Sequence, residues 1–305
     1  MTIRPLLSPS FSLLCRLALG LALLAIGPRA ARAQAFTDTV SVPDRAAFVE
    51  RVKRNLLDDQ DVERLYTYTE RSRQFRTERG QRRMKTELVY EVYPEPDGRG
   101  IYRRLVATDG KPTPPAELEK QDRKRREAVE KALQKQAGET PRQRDERLRK
   151  VQKVRAEERA RLDEAFRLLE IRFSERTTLS GQPTLVAEFR PRAGAKATSR
   201  EGKILQKFKG RGFVSEADAQ VVRVELEALD NISFGLGLLA RVNKGSQAAF
   251  ERRYVNGEVW LPASFRLRAS GRQFLLKGID LDNEVEWYDY RKFTVDTKES
   301  VAAPK

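Results

Sequence analysis

The chain has 305 residues, with 60 Lys and Arg against 44 Asp and Glu, one cysteine and no histidine. The lack of histidine excludes Ser-His-Asp and Cys-His catalytic arrangements and removes the commonest ligand for zinc and copper. The formal net charge of +16 favours anionic partners, such as lipid headgroups, acidic proteins or nucleic acid.

The first 35 residues have the features of a cleavable secretory signal peptide. Arg4 and Arg16 carry positive charge, no acidic residue precedes Asp38, and every residue from 17 to 26 is Leu, Ala, Ile or Gly. This apolar run has the length of a signal-peptide h-region, whereas about 20 apolar residues are needed to cross a bilayer. Small-x-small sites at 31–33 and 33–35 predict cleavage before residue 34 or residue 36. We therefore predict secretion across the inner membrane into the periplasm; an uncleaved anchor is the alternative.

Removal of the predicted signal peptide changes both the cysteine count and the net charge of the chain. Cys15 precedes the apolar run instead of following it, so we do not expect lipidation, and the exported chain has no cysteine left for a disulfide. Removing residues 1–35 takes away four basic residues and no acidic one, which lowers the net charge from +16 to +12. An exported chain without interleaved basic and aromatic residues is not expected to bind nucleic acid.

The exported chain begins with a helix pattern and continues with strand patterns. Pro43 marks a helix start, and Phe48, Val52 and Leu56 follow at a spacing of four, which predicts a short helix with a narrow apolar stripe. Residues that are β-branched or aromatic then alternate with polar ones, as half-exposed antiparallel strands require. These strand patterns lie at 66–69, 88–93 and 101–106.

Residues 114–166 differ in composition from the rest, being rich in Lys, Arg, Glu, Gln and Ala. Thr140 followed by Pro141 predicts a second helix start, with Thr140 as the N-cap and Pro141 at the first helical position. We predict two antiparallel charged helices inserted between strands. Two interpretations stay open: a solvated spacer, part of it disordered, or a protruding arm that contacts a protein partner or a membrane. Charge runs are more often solvated than functional.

Strand patterns return at Leu169 and continue almost to the end of the chain. Ser180-Gly181 and Asn256-Gly257 are turn signals between strands, and the strands follow one another without a β-α-β alternation. We predict a mainly β fold with α-helices: an incomplete antiparallel β-barrel (half-barrel) with an N-terminal helix and an inserted charged helical hairpin. Residues 36–305 are expected to form a single domain, with Trp260 and Trp287 as core anchors.

Residues 190–211 contain eight basic side chains and one acid, Glu201. Ser199 can cap a short helix whose apolar side contains Ile204, Leu205 and Phe208, while basic residues occupy another side. Such a basic amphipathic turn suits an anionic lipid headgroup, although a solvated basic loop with a packing helix is the alternative. The residues that we predict to meet the headgroup are Arg200, Lys203, Lys207 and Arg211.

The segment 232–240 is apolar and contains two glycines. We predict that it touches lipid at the mouth of the barrel, with plain core packing as the alternative. The predicted apolar ligand contacts are Phe234, Leu236 and Leu238.

No motif predicts a cofactor, a metal or a catalytic residue. Gly235, Gly237 and Ala240 match a dinucleotide-binding fingerprint, but the β-α-β context that the fingerprint requires is missing. The acidic residues at 280–284 resemble an EF-hand start without its glycine and final glutamate, so calcium is not expected. A carboxylate-based enzyme remains an alternative without a local signature.

Three stretches of the C-terminal part carry a resemblance to a known family. They are Gly-Phe-Val-Ser-Glu-Ala-Asp at 212–218, Val-Arg-Val-Glu at 222–225 and Asn-Gly-Glu-Val-Trp-Leu-Pro at 256–262. Together with the N-terminal helix they resemble the LolA-like superfamily of periplasmic lipoprotein carriers and related lipid-binding proteins, over about two-thirds of the exported chain. The resemblance implies a half-barrel with helices over a concave apolar face that can hold acyl chains. The long charged insert departs from that pattern.

These observations predict a non-catalytic lipid- or lipoprotein-binding protein of the cell envelope. Its expected partners are lipid acyl chains or a lipoprotein, together with an anionic membrane surface or an envelope protein. The alternative is an envelope interaction or sensor protein that binds a protein partner through its charged helices.

Overall fold

The computed structural model describes residues 36–63, 65–95, 100–234, 240–273 and 277–292. The predicted signal peptide at 1–35 lies outside this part of the chain. The helices are α1 (Arg45–Glu63), α2 (Pro115–Ala137), α3 (Pro141–Leu168) and α4 (Arg200–Leu205). The strands are β1 (Tyr66–Glu78), β2 (Gln81–Pro94), β3 (Ile101–Thr108), β4 (Lys111–Pro112), β5 (Leu169–Leu179), β6 (Gln182–Pro191), β7 (Phe208–Ser215), β8 (Val221–Ala228), β9 (Ile232–Phe234), β10 (Ala240–Val242), β11 (Gln247–Val255), β12 (Val259–Gln273) and β13 (Lys277–Lys292).

Helix starts follow local capping rules. The Asp44 carboxylate accepts a hydrogen bond from the Ala47 N–H (3.2 Å) at the start of α1, which runs farther than the short helix predicted. Thr140 and Gln143 form a reciprocal capping box at the start of α3, as the Thr140-Pro141 pair predicted. The two charged helices predicted for 114–166 are therefore confirmed as α2 and α3.

The described strands form one antiparallel sheet with the order β4-β3-β2-β1-β13-β12-β11-β8-β7-β6-β5, and β9 and β10 join it through β12. The edges β4 and β5 do not pair with each other, so the sheet is open. The predicted half-barrel with an N-terminal helix and an inserted pair of helices is confirmed. The helices α2 and α3 are the part of the chain that leads from one edge of the sheet to the other.

One face of the sheet, here called the ion-paired face, is a ladder of alternating charges. Directly opposed residues on nine neighbouring strands form a row in which basic and acidic residues alternate, with one alanine near the middle. Neighbouring members form ion pairs, such as Arg172 with Glu188 (2.5 Å) and Arg211 with Glu225 (2.6 Å). Each such pair contributes only about 0.2–1 kcal/mol, but the row neutralises charge across the sheet. The row is Arg172, Glu188, Arg211, Glu225, Ala249, Arg266, Glu284, Arg73 and Glu87.

The opposite face, here called the apolar face, is formed by the neighbours of those residues along each strand. Successive side chains of a strand point to opposite faces, so a charged row on one side places a second row on the other. That second row is Phe173, Ala187, Gly212, Val224, Phe250, Phe265, Val285, Ser72 and Leu88. The apolar face therefore continues from β5 to β2.

Both edges of the sheet are protected by side chains and by the N-terminal segment. The Gln121 side chain on α2 accepts a hydrogen bond from the Leu105 N–H (2.9 Å) and donates one to the Leu105 carbonyl (3.2 Å). At the other edge, the Phe173 N–H donates to Asp38 (2.8 Å) and the Phe173 carbonyl accepts from the Thr39 N–H (2.9 Å). These contacts occupy backbone groups that would otherwise pair with another chain.

Candidate ligand-binding face

Helices α1 and α4 cover opposite ends of the apolar face at the β7–β8 hairpin. Phe48 and Val52 of α1 pack in one buried cluster with Val214, just before the hairpin turn. Ile204 of α4 packs with Ala228, at the far end of β8. The two helices thus bound the face along the strand direction.

The centre of the apolar face is lined by half-buried apolar side chains. Three of its members, Phe265, Val285 and Trp287, are buried, and the others pack around them while keeping part of their surface accessible. Apolar surface that stays partly exposed on an open sheet is the kind of surface that takes an apolar ligand. The half-buried set is Tyr68, Leu88, Tyr90, Val224, Leu226, Ala248, Phe250 and Leu267.

A buried ion pair lies within this apolar face. The Glu70 side chain, on β1, is only 8% exposed and accepts hydrogen bonds from the Arg103 guanidinium and from the Trp287 indole N–H (3.2 Å). The Arg103 guanidinium lies over the Tyr90 ring, 4.1 Å from its centroid. A buried carboxylate is tolerated only when it is paired in this way, because an isolated charge in an apolar environment is very costly.

The surroundings shift the protonation of this cluster. Burial raises the pKa of the Glu70 carboxyl, although the Arg103 charge and the indole hydrogen bond oppose the rise. Burial also raises the pKa of Tyr68, and the nearby Glu70 and Glu63 carboxylates add to that effect. The Tyr68 phenol therefore stays neutral at physiological pH.

The predicted headgroup residues do not form one cluster. Arg200 and Lys203 lie on α4, at the end of the apolar face, whereas Lys207 donates to Asp230 (3.1 Å) and to the Asn231 carbonyl (2.7 Å).

Arg211 lies on the opposite side of the sheet from the face that α4 covers. It belongs to the ion-paired face, where its guanidinium donates two hydrogen bonds to Glu225 (3.0 and 2.6 Å). Two of the four predicted cations are thus held by internal acidic partners, and the other two remain available at the rim of the apolar face.

Of the three predicted apolar contacts, only Phe234 lies within the described residues. Phe234 is the last residue of β9, which pairs with β10 beside β12, and its side chain is outside the described part of the structure. Leu236 and Leu238 lie outside the described residues.

The sequence-based reasoning missed Glu70 and Arg103, although a signal for Glu70 was present. Tyr66, Tyr68, Glu70 and Ser72 follow one another at a period of two, so they occupy the same face of β1. A carboxylate on the same face of a strand as buried aromatic residues is expected to be buried as well. No comparable local signal indicates its partner Arg103, because β3 meets Glu70 only through the sheet.

A cavity of about 240 Å³ lies between α1, α3 and β5. Val49, Phe166, Leu169 and Ile171 line its apolar part, and Arg45, Lys53 and Arg192 lie at its rim. These cations already have internal partners: Arg45 with Asp38, Lys53 with Glu50, and Arg192 with backbone carbonyls. The cavity therefore has little capacity left for an anion.

No protein-family model and no curated protein matches the chain. Two solved structures are similar to it in fold. One is a domain from Vibrio parahaemolyticus named as an outer membrane lipoprotein-sorting protein, with 8% identity, a TM-score of 0.30 and coverage of 84% of this chain and 97% of that chain. The other is a DUF1329 family protein from Desulfovibrio piger, with 10% identity, a TM-score of 0.29 and coverage of 82% and 93%.

Across the described ranges, none of the helices combines the length and apolar composition needed to cross a membrane.

Proposed function

We propose that this protein is a non-catalytic lipid- or lipoprotein-binding protein of the periplasm, and that its apolar face takes the acyl chains of the ligand. The observation that carries the proposal is the contrast between the two faces of one open sheet. One face is neutralised by ion pairs, while the other is lined by apolar residues from β5 to β2, apart from Ser72 and the Glu70–Arg103 pair, and is only half-buried at its centre.

The physical gain is large enough to hold a lipid. Each methylene removed from water contributes about 0.8 kcal/mol, so a chain of about twelve methylenes gains about 10 kcal/mol before the costs of association. In this proposal, Arg200 and Lys203 of α4 contact a polar group of the ligand that extends beyond the end of the face that α4 covers.

The test uses two neighbouring alanines that point to opposite faces. Ala248 belongs to the apolar face and Ala249 to the ion-paired face. We expect Ala248→Trp to fill ligand space and to weaken uptake of a fluorescent fatty acid by about tenfold or more. Ala249→Trp adds the same bulk on the other side and is expected to leave uptake unchanged. Lipid should also be recovered by organic extraction and mass spectrometry of the purified protein.

The proposal is refuted if extraction yields no lipid and the wild-type protein takes up no fatty acid. Equal loss of uptake in both alanine variants, with unchanged melting temperatures, would also contradict the assignment of the face.

A second candidate function is protein binding through α2 and α3. Large apolar side chains on these helices remain 40–51% exposed, and the three on α3 follow one another at a spacing of three, which brings them to neighbouring positions on the helix surface. They are Leu133, Leu148, Val151 and Val154. Loss of a defined binding partner in a Leu148→Asp/Val151→Asp variant, with lipid uptake intact, would favour this function over lipid binding.

A further inference from the structure

We infer that Arg103 is the binding site for the carboxylate of a long-chain fatty acid, and that Glu70 occupies this site in the ligand-free protein. The inference rests on the proposed function and names the class of ligand that the apolar face takes. It further implies that each bound fatty acid brings one proton from solvent onto Glu70.

The position of Arg103 fits an anion at the end of an apolar chain. Its side chain is 18% exposed, whereas the Glu70 side chain is 8% exposed, so the cation is the more accessible member of the pair. Tyr90 and Trp287, which contact the pair, belong to the apolar face. A chain that lies along this face therefore ends beside a guanidinium.

The Arg103 guanidinium can bind a ligand carboxylate in the place that Glu70 occupies. A guanidinium carries N–H donors in a planar fork that matches carboxylate geometry. Glu70 also accepts a hydrogen bond from the Trp287 indole, so it keeps a partner when it leaves Arg103. A ligand carboxylate can therefore replace Glu70 on Arg103.

Charge balance then determines what happens to Glu70. Two carboxylates that share one buried cation cannot both stay ionised without a large cost, so one of them takes up a proton. Glu70 is the group prepared to do so, because burial already raises its pKa. The site thus passes from a Glu70–Arg103 ion pair to a ligand–Arg103 ion pair beside a neutral Glu70.

The other titratable groups around the pair do not take this proton. Tyr68, Tyr90 and Tyr290 have raised pKa values because they are buried, so they are already protonated at neutral pH. Glu63, from α1, acts on Tyr68 and Tyr290 rather than directly on the Glu70 carboxyl.

Two of the cations predicted from sequence are less suited to this role. Lys207 and Arg211 already bind Asp230 and Glu225, respectively. The Asp230 side chain is 65% exposed, where charge–charge interactions are screened, and Glu225 lies on the ion-paired face. Arg103 is the cation whose carboxylate contact lies within the apolar face.

The test compares oleic acid with oleyl alcohol, which has the same chain without the carboxylate. Binding of each probe is measured by isothermal titration calorimetry between pH 6 and 9, in buffers of different ionisation enthalpy, so that proton uptake is read directly. For the wild-type protein we expect about one proton taken up per oleic acid and tighter binding of the acid as the pH falls. We expect no proton uptake with the alcohol.

The test variants change the Glu70–Arg103 pair, and the control variants change the neighbouring Glu91–Arg104 pair on the ion-paired face. Glu70→Gln should bind oleic acid about tenfold or more tightly and abolish proton uptake, because residue 70 no longer carries a charge that competes for Arg103. Arg103→Met should weaken acid binding by about 10- to 150-fold, the range for a hydrogen bond to a charged group. Neither change should alter binding of the alcohol. The controls are Glu91→Gln and Arg104→Met, since Arg104 binds Glu91 (3.0 Å) elsewhere on β2 and β3.

Arg103→Met leaves Glu70 buried without its partner, so this variant is also made together with Glu70→Gln. The double variant should fold, bind the alcohol normally and bind the acid weakly. Equal affinity of the wild-type protein for acid and alcohol, or unchanged proton uptake in Glu70→Gln, overturns the inference and leaves the proposed function standing. Failure of the wild-type protein to bind either probe overturns both.

Discussion

Glu164 on α3 holds the segment that leads into α4, and its replacement gives a stability prediction with a defined pH dependence. Its carboxylate is 8% exposed and accepts four hydrogen bonds, from the N–H and hydroxyl groups of Thr198 and Ser199. Burial alone would raise the pKa of Glu164, but these donors outweigh it and lower the pKa to about 2 from 4.5. At 1.36 kcal/mol per pKa unit, the ionised form contributes about 3 kcal/mol to folding.

Since the folded-state pKa lies below the unfolded one, this contribution is present above about pH 4.5 and is lost as the pH falls toward 2. We expect Glu164→Gln to lower the free energy of unfolding by about 3 kcal/mol at pH 7 and by progressively less between pH 4.5 and pH 2. The measurement is urea unfolding followed by circular dichroism across this pH range. Glu157→Gln, at an exposed position of the same helix, is the control and should change little. A Glu164 effect that is as small as the control, or that persists unchanged at pH 2, would refute the reasoning.

Two further predictions concern close backbone approach and edge protection. Gly210→Ala should destabilise the protein by about 3 kcal/mol or more, because a Cβ atom there would lie 2.0 Å from the Glu225 carbonyl oxygen. Gly212→Ala on the same strand is the control, since a Cβ atom there meets only one atom, at 3.8 Å. Equal melting temperatures of the two variants in thermal unfolding would contradict this prediction. Gln121→Ala frees the Leu105 backbone groups at the β3 edge, so we expect concentration-dependent association in analytical ultracentrifugation, and a strictly monomeric variant would count against an edge-protecting role.

Features that depend on a few neighbouring residues were predictable from the sequence. Asn256-Gly257 forms the β11–β12 turn with φ angles of 53° and 70°, a left-handed conformation that these two residue types tolerate well. Thr140 caps α3 through its own side chain. Ser199 likewise caps α4 by accepting from the Gly202 N–H (2.8 Å). Each of these outcomes is decided within about four residues of chain.

The long polar strands were not predictable in the same way. The pattern at 66–69 indicated a short strand, yet β1 continues to Glu78, and the predicted 88–93 is only the last part of β2. The added residues are mostly charged or polar and have low intrinsic strand preference. They are stabilised by partners distant in sequence, as when Arg82 binds Asp282 (2.6 Å). A local pattern contains no information about such pairing.

The predicted site residues stay predictions, and those that the structure describes do not form one cluster. A basic headgroup contact and an apolar ligand surface were both expected, and the predicted cations Lys207 and Arg211 turned out to have internal acidic partners. The basic cluster along the chain is divided because β7 turns Arg211 away from α4. The buried pair of Glu70 and Arg103 forms only when β1, β2 and β3 come together, which single-sequence periodicity does not specify.

The connection between the two edges of the sheet has a mechanical consequence. Helices α2 and α3 contain 23 and 28 residues, so they are about 34 and 42 Å long, and they join β4 to β5 through residues 138–140. As long as both helices stay intact, the two edges of the open sheet cannot lie farther apart than the combined length of the helices and this short connection.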